Sequence, residues 1–292
     1  MKYLVTGGAG FIGSHFCQDL IQNFKPNDQL VIIDKLGVGS NLDNLKRILE
    51  KPNVNFFKGD ITVEEDVKEV ISNTQVIVNF AAESHVDRSI SDPGGFIRNN
   101  VIGTQILLEA ARVNEVSKFI QISTDEVYGP IDEGEAFENS ILKPSSPYAA
   151  SKAAADLVVL SYFITYGLDV RITRCANNFG KNQDKEKLIP LLINNIQRNK
   201  KLPIYGNGLN IREWIHVSDH CRAISLVIEL GRAGEIYNIG SSDRLTNIEV
   251  TNLLLQANPK SLSEVQFVED RLGHDIRSVS YTHLTLPTKR IV

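Results

Sequence analysis

Short apolar runs alternate with longer amphipathic stretches through the first 175 residues. Runs rich in Val, Ile and Phe predict strands over 3–6, 30–34, 54–58, 76–80, 118–123 and 170–174. Apolar residues spaced three and four apart predict helices over 11–22, 42–50, 64–72, 96–113 and 146–166. Strands alternating with helices build right-handed βαβ units around a parallel sheet. The expected fold class is therefore α/β, a doubly wound parallel Rossmann sheet.

The second half is less regular. Helical patterns cover 188–198, 218–230 and 247–257, and short strands 203–205, 235–239 and 265–268. Glycine-rich stretches, Gly206-Asn207-Gly208 and Gly240-Ser241-Ser242, separate them. A second, smaller α+β lobe fits this half. The expected division is 1–176 for the Rossmann domain, 177–277 for the smaller lobe and 278–292 for a dissimilar tail.

Composition narrows the class. A chain of 292 residues suggests about two domains. Apolar residues at 42% and charged residues at 23% match a globular protein, not a disordered one. The net charge of −4, with no basic stripe, argues against nucleic acid as a partner. Cys17, Cys175 and Cys221 are too far apart in sequence to read as a metal knuckle or a disulfide framework. No apolar run is long enough for a membrane span. The start, MKYLVTGG, enters a strand directly without a signal-peptide layout, so a cytoplasmic location is expected.

The candidate chemistry begins at Gly7-Gly8-Ala9-Gly10-Phe11-Ile12-Gly13, between a predicted strand and helix. Gly7 permits a tight turn, Gly10 lets backbone approach a pyrophosphate, and Gly13 lets the helix pack on the strand. The helix N-terminus offers N–H groups to phosphate. The alternative is a glycine turn without a ligand. The second strand ends in Asp34, a carboxylate suited to ribose hydroxyls and repelling a 2′-phosphate, which favours NAD over NADP. Lys35 beside it pulls the other way. Asp60, ending the third strand, is either an adenine contact or a surface turn residue.

Tyr148 and Lys152 form a Y-x-x-x-K at the start of a long helix, on one face at i and i+4. The spacing alone is weak evidence. A lysine cation near a phenol favours phenolate, which suits a base acting on an alcohol. Thr124, Asp125 and Glu126 fall at the carboxyl end of the fifth strand, where ligands of open α/β sheets bind. The alternative for them is a capped turn with solvated acids.

The segments TGGAGFIGS, NFAAESHVDRSI, STDEVYG, SPYAASK, TRCANNFG, EKLIPLLI, IREWIHVSDH and RLGHD, in this order, resemble the dTDP-glucose 4,6-dehydratases, which are extended short-chain dehydrogenases/reductases. The Thr-Asp-Glu triplet points to the dehydratase branch; related epimerases have small residues there. The resemblance implies NAD as cofactor and dTDP-glucose or a related sugar nucleotide as substrate. It implies that Tyr148 removes the proton of the carbon-4 hydroxyl as hydride passes to NAD. Glu126 then takes the carbon-5 proton while Asp125 protonates the leaving carbon-6 hydroxyl, and hydride returns to carbon 6. Thr124 binds the carbon-4 oxygen and Lys152 also holds the nicotinamide ribose. Elimination needs one ionised and one protonated carboxyl, and adjacent like charges separate their pKa values.

The resemblance also assigns Phe11, Ile12, Lys35, Ile61, Phe80, Ala81, Ala82, Ser84, Asn99 and Asn178 to the cofactor. It assigns Glu83, Asn177, Lys187, Leu188, Pro203, Tyr205, Arg212, Asn247, Asp270, Arg271 and His274 to the substrate. Arg212 suits a phosphate clamp, with a salt bridge to Glu213 or Asp219 as the alternative. His216 and His220, spaced like metal ligands, fall in a segment that binds no metal in relatives, so no metal is expected. His85 is expected to be structural or near the substrate. A homodimer through helices 96–113 and 146–166 is implied.

The resemblance stops at Arg277. The tail SVSYTHLTLPTKRIV fits nothing in the family, and a lobe lacking the family's later helices would expose apolar surface and leave the nucleotide pocket incomplete. Two other readings remain: another sugar-nucleotide dehydratase or 4-epimerase, and an NAD-binding protein without turnover.

Overall fold

The computed structural model describes residues 1–131, 133–270 and 272–281. Its first half runs β1 (Lys2–Thr6), α1 (Phe11–Gln22), β2 (Gln29–Asp34), β3 (Val54–Lys58), α2 (Glu64–Ile71), β4 (Val76–Asn79), α3 (Val86–Ser91), α4 (Pro93–Ile97), α5 (Gly103–Val113), β5 (Lys118–Thr124), α6 (Pro147–Tyr166) and β6 (Val170–Cys175). The second half adds β7 (Asn177–Phe179), α7 (Leu188–Gln197), β8 (Leu202–Tyr205), β9 (Ile211–His216), α8 (Val217–Leu230), β10 (Ile236–Ile239), β11 (Arg244–Thr246), α9 (Asn247–Gln256), β12 (Val265–Val268) and β13 (Arg277–Ser278).

The large sheet has the order β10-β6-β5-β4-β1-β2-β3, with every pair parallel. Helices cover both faces, so the strands are largely buried on both sides, with polar Gln121, Arg171, Arg174 and Asn238 among the buried residues of β5, β6 and β10. Phe16, Leu30, Ile32 and Val78 fill one layer, with Leu4, Ile77, Leu107 and Phe119 in the other. The chain reverses direction across the sheet between β1 and β4, which opens a crevice at the carboxyl ends. β10 joins this sheet from the second half of the chain, so residues beyond 176 contribute to both lobes. The smaller lobe holds β11-β9-β13, with β7 also on β9, and the separate pair β12-β8.

Two helical expectations change. Residues 42–50 form only a 3₁₀ turn, Leu42–Leu45, followed by further turns. Leu45 and Ile48 are the buried pair there, and their i, i+3 spacing suits a 3₁₀ geometry. The helix expected over 96–113 is interrupted by a π-helical stretch, Arg98–Ile102. The tail is not wholly detached: Ser278 pairs with Arg212 in register, Val279 is buried, and Ser280 bridges to Ala136. Residues 282–292 lie outside the described ones. Leu262, Phe267, Leu272 and Ile276 of the smaller lobe are exposed.

Candidate active site

One cleft lies over the carboxyl ends of the large sheet, and the glycine turn forms its floor. Gly7 has φ +64°, and a Cβ there would sit 2.6 Å from the Ala81 nitrogen. A Cβ on Gly13 would sit 2.4 Å from the Gly7 oxygen. Only glycine fits either place. Gly10 caps α1 without any side-chain hydrogen bond, so the first-turn N–H groups of Phe11, Ile12 and Gly13 open into the cleft. Asp34 ties this turn down: its carboxylate accepts from the Ala9 nitrogen at 3.0 Å, the Leu36 nitrogen at 2.8 Å and the Ser40 hydroxyl at 3.2 Å. This floor fits a dinucleotide pyrophosphate, with a carboxylate beside the ribose end.

Asp60, Ile61, Phe80, Ala81, Ala82, Ser84 and Asn178 line the same cleft. Asp60 closes an Asx-turn on the Thr62 nitrogen at 2.9 Å. Lys35 is engaged by Glu83 at 2.9 Å and by the Asn99 side-chain oxygen at 2.6 Å. Glu83, assigned to the substrate from sequence, therefore sits against a cofactor-side lysine. Its backbone is clamped by Asn100, which accepts from the Glu83 nitrogen at 2.8 Å and donates to its carbonyl at 3.0 Å. Asn100 also donates to Ser151 of α6 at 2.8 Å. The π-helical stretch turns Asn100 inward. Sequence reasoning passes over this residue, because a π-bulge leaves no periodicity signal.

The other wall carries the candidate chemistry. Thr124 ends β5, and its hydroxyl accepts from the Glu126 nitrogen at 3.3 Å, starting the 3₁₀ turn Asp125–Tyr128. Ser146 caps α6 through the Ala149 nitrogen at 3.1 Å, and Pro147 occupies the first turn. This places Tyr148 and Lys152 across from the triplet, and all five line the cleft.

Burial, together with the charge of Glu126, pushes Asp125 up to about 7, while Ser278 and Arg212 pull it back. Ser278 donates to Asp125 Oδ2 at 2.8 Å. Tyr148 differs from expectation: burial first, and then Glu126, hold the phenol well above its ordinary value, not below it. Burial also lowers Lys152, opposed by the charge of Asp156. The Lys152 ammonium donates to the Ile122 carbonyl at 2.7 Å. A second buried acid, Glu213, is likewise raised to about 7, by burial and by the charge of Asp125, while the Ser280 N–H and Arg244 pull it back.

Asn177 and Lys187 line the cleft too, and Lys187 donates to the Ser84 carbonyl at 2.9 Å. Leu188, Pro203, Tyr205, Arg212, Asn247, Asp270 and His274 do not; they sit on or beside the smaller lobe's elements. There the Tyr205 ring meets His274 edge-on, and Asp270 pairs with His274 at 2.6 Å. Arg212 is buried and donates to the Asp275 carbonyl at 2.9 Å, while Asp219 pairs with Arg222. Arg212 is the member of this second set whose charge reaches Asp125. Arg271 lies outside the described residues.

His85 lines the cleft, near Glu186, and burial lowers its pKa. His216 hydrogen-bonds the Ser218 hydroxyl, and buried His220 hydrogen-bonds Asn178, with its pKa lowered to about 3 by burial. Among the described residues, no three His, Cys, Asp or Glu side chains are grouped to hold a metal.

The NAD dependent epimerase/dehydratase family matches residues 3–240. A dTDP-glucose 4,6-dehydratase of Actinoplanes sp. is 47% identical over 289 residues, covering 97% of this chain and 90% of that protein. A crystal structure of a dTDP-glucose 4,6-dehydratase from Streptomyces venezuelae with NAD bound superposes with a TM-score of 0.92 at 49% identity, covering 97% of this chain and 88% of the other. A UDP-glucuronic acid 4-epimerase from Bacillus cereus, also with NAD, gives a TM-score of 0.92 at 28% identity, covering 97% and 90%. The family match spans most of the chain and the solved relatives share its fold: the chain belongs to the NAD dependent epimerase/dehydratase family.

Proposed function

We propose that this chain is a hydro-lyase that uses NAD to convert dTDP-glucose to dTDP-4-keto-6-deoxyglucose. One observation carries the reading: Asp125, buried and held near 7, adjoins Glu126 in the cleft that also contains Tyr148 and Lys152. A redox-only epimerase has no use for such an acid pair. The relatives at 47–49% identity bear the dehydratase name, whereas the epimerase neighbour stands at 28%.

The cleft lined by Gly7, Gly10, Gly13, Asp34 and Lys152 would hold NAD, which when bound would supply the hydride acceptor for carbon 4 and the hydride donor for carbon 6. The chain's residues do the rest. Tyr148 accepts the proton of the carbon-4 hydroxyl, with Thr124 sharing the load on that oxygen. The resulting ketone acidifies carbon 5. Glu126 accepts that proton and Asp125 delivers one to the departing carbon-6 hydroxyl, so water leaves; as carbon 6 gains hydride, Glu126 returns its proton to carbon 5, and the proton left on Tyr148 passes to solvent while Asp125 regains one. Gly7, Gly10 and Gly13 cradle the pyrophosphate, and Asp34 serves the ribose. The smaller lobe, with Arg212, Tyr205, Asn247 and His274, takes the nucleotide diphosphate.

We place the protein in the cytoplasm as a homodimer through α5 and α6. Val113, Leu157 and Ile164 are exposed on these helices, and all three cysteines are free. No helix among the described residues is long and apolar enough to cross a membrane. Incubation with dTDP-glucose and NAD tests the activity: an alkali-developed ketosugar product supports it, and unchanged substrate refutes it.

A further inference from the structure

Beneath the catalytic wall lies a buried polar cluster to which the reaction gives no direct task. Arg174 of β6 is buried almost completely and donates to Asp156 of α6 at 2.9 Å. It donates to the Tyr128 hydroxyl at 3.0 Å, and its guanidinium stacks 4.9 Å from the Tyr128 ring centre. The Tyr128 hydroxyl in turn donates to the Asn238 side-chain oxygen of β10 at 2.7 Å. Asn238 donates onward to the Ala136 carbonyl at 3.0 Å.

The two ends of this cluster meet the two halves of the chemistry. Asp156 follows Lys152 by one helical turn on α6, on the face that bears Tyr148. Tyr128 closes the 3₁₀ turn that Asp125 opens, and side chains three apart in such a turn stack over one another. The turn is fixed behind Tyr128 as well. Gly129 has φ +73° and a Cβ there would lie 1.9 Å from the Lys143 carbonyl oxygen, while the Lys143 nitrogen donates to the Val127 carbonyl at 3.1 Å. A buried ion pair adds little net stability over apolar packing of the same volume. What it does supply is orientation.

We propose that Tyr128 is a positioning residue for water elimination: its hydroxyl, gripped by Arg174 and Asn238, fixes the turn carrying Asp125 and Glu126 against the helix carrying Tyr148 and Lys152. The proposal rests on the dehydratase reading and adds a division of labour to it. Oxidation at carbon 4 uses Tyr148 and Lys152, which keep their own anchors, the Ser146 cap and the Ile122 carbonyl. Elimination uses the turn that Tyr128 anchors.

The test is Tyr128→Phe, which keeps the ring and removes the hydroxyl, followed by stopped-flow absorbance of NADH with dTDP-glucose. Misplacing a reacting group by a fraction of an ångström costs rate steeply. The expected result is NAD reduction within about twofold of wild type and elimination slowed about tenfold, so that NADH accumulates. Asn238→Ala, which leaves Tyr128 and the Arg174–Asp156 pair in place, is expected to divide the two steps the same way. This second variant decides between the outcomes should Tyr128→Phe not fold. Two unchanged rates, or two rates lowered by one common factor, overturn the proposal. Wild type is run alongside: if it forms no ketosugar, the dehydratase reading falls and this proposal with it.

Discussion

Lys152 and Ile122 are joined across 2.7 Å, ammonium to carbonyl, so the helix bearing the candidate base is pinned to the strand that ends two residues later in Thr124. The bond satisfies a charge that is only 4% exposed. Replacing Lys152 by Met removes both the pin and the cation one helical turn from Tyr148 on the same face. Turnover is expected to fall by about 10²-fold or more, with residual activity appearing only at higher pH. A kcat profile against pH checks this; near-normal turnover at neutral pH is the contrary result.

Glu126→Gln leaves oxidation intact and removes the acceptor for the carbon-5 proton. NADH is expected to form and persist, with product formation lowered by about 10²–10⁴-fold. Rapid-quench product analysis beside NADH absorbance reads both. Full dehydration by this variant removes the acid/base assignment.

In its proposed role as the acid, Asp125 must hold its proton. Because burial and Glu126 raise it to about 7, elimination is expected to decline as pH rises through about 7. Asp125→Asn keeps oxidation and abolishes that limb. An elimination rate that climbs steadily to pH 9 contradicts the role.

The same shifts govern stability. Asp125 and Glu213 bind protons more tightly in the folded chain than unfolded, raised from ordinary values of 3.8 and 4.5 to about 7. The stability they contribute is fully present below about pH 4 and is lost as pH rises through about 7. Glu213→Gln, free of that penalty, is expected to gain thermal stability relative to wild type between pH 5 and pH 8. Tm measured across that range decides; a difference independent of pH speaks against it.

Gly13→Ala drives a methyl group to 2.4 Å from the Gly7 oxygen. The expected outcome is loss of NAD binding by at least about tenfold, read by calorimetric titration, with a lowered Tm. Unchanged affinity excludes the turn as the pyrophosphate cradle.

Much of this is legible in the sequence because the responsible signals are local. β1 and β4 are largely apolar, β5 and β6 show their Phe, Ile and Val positions between polar ones, and the glycine turn carries its own steric logic. Tyr148 and Lys152 need only helical spacing to share a face. What escapes depends on partners remote in sequence. β9 reads IREWIH, whose buried Arg212 and Glu213 mask a strand. Asn100 becomes a clamp only because the helix widens at 98–102. The direction of the Tyr148 shift follows from burial and Glu126, which outweigh the lysine that spacing alone brings to mind. The pairing of Glu83 with Lys35, from the end of another strand, likewise has no local signal.

The proposed reaction requires hydride to leave carbon 4 and to return to carbon 6 after water is lost between carbons 5 and 6. Turnover of dTDP-glucose deuterated at carbon 4, followed by NMR of the product, follows that hydride from start to finish. The expected product is a 4-keto-6-deoxy sugar with the deuterium in its carbon-6 methyl group. A product that keeps its carbon-6 hydroxyl, with deuterium back on an inverted carbon 4, contradicts the dehydratase mechanism.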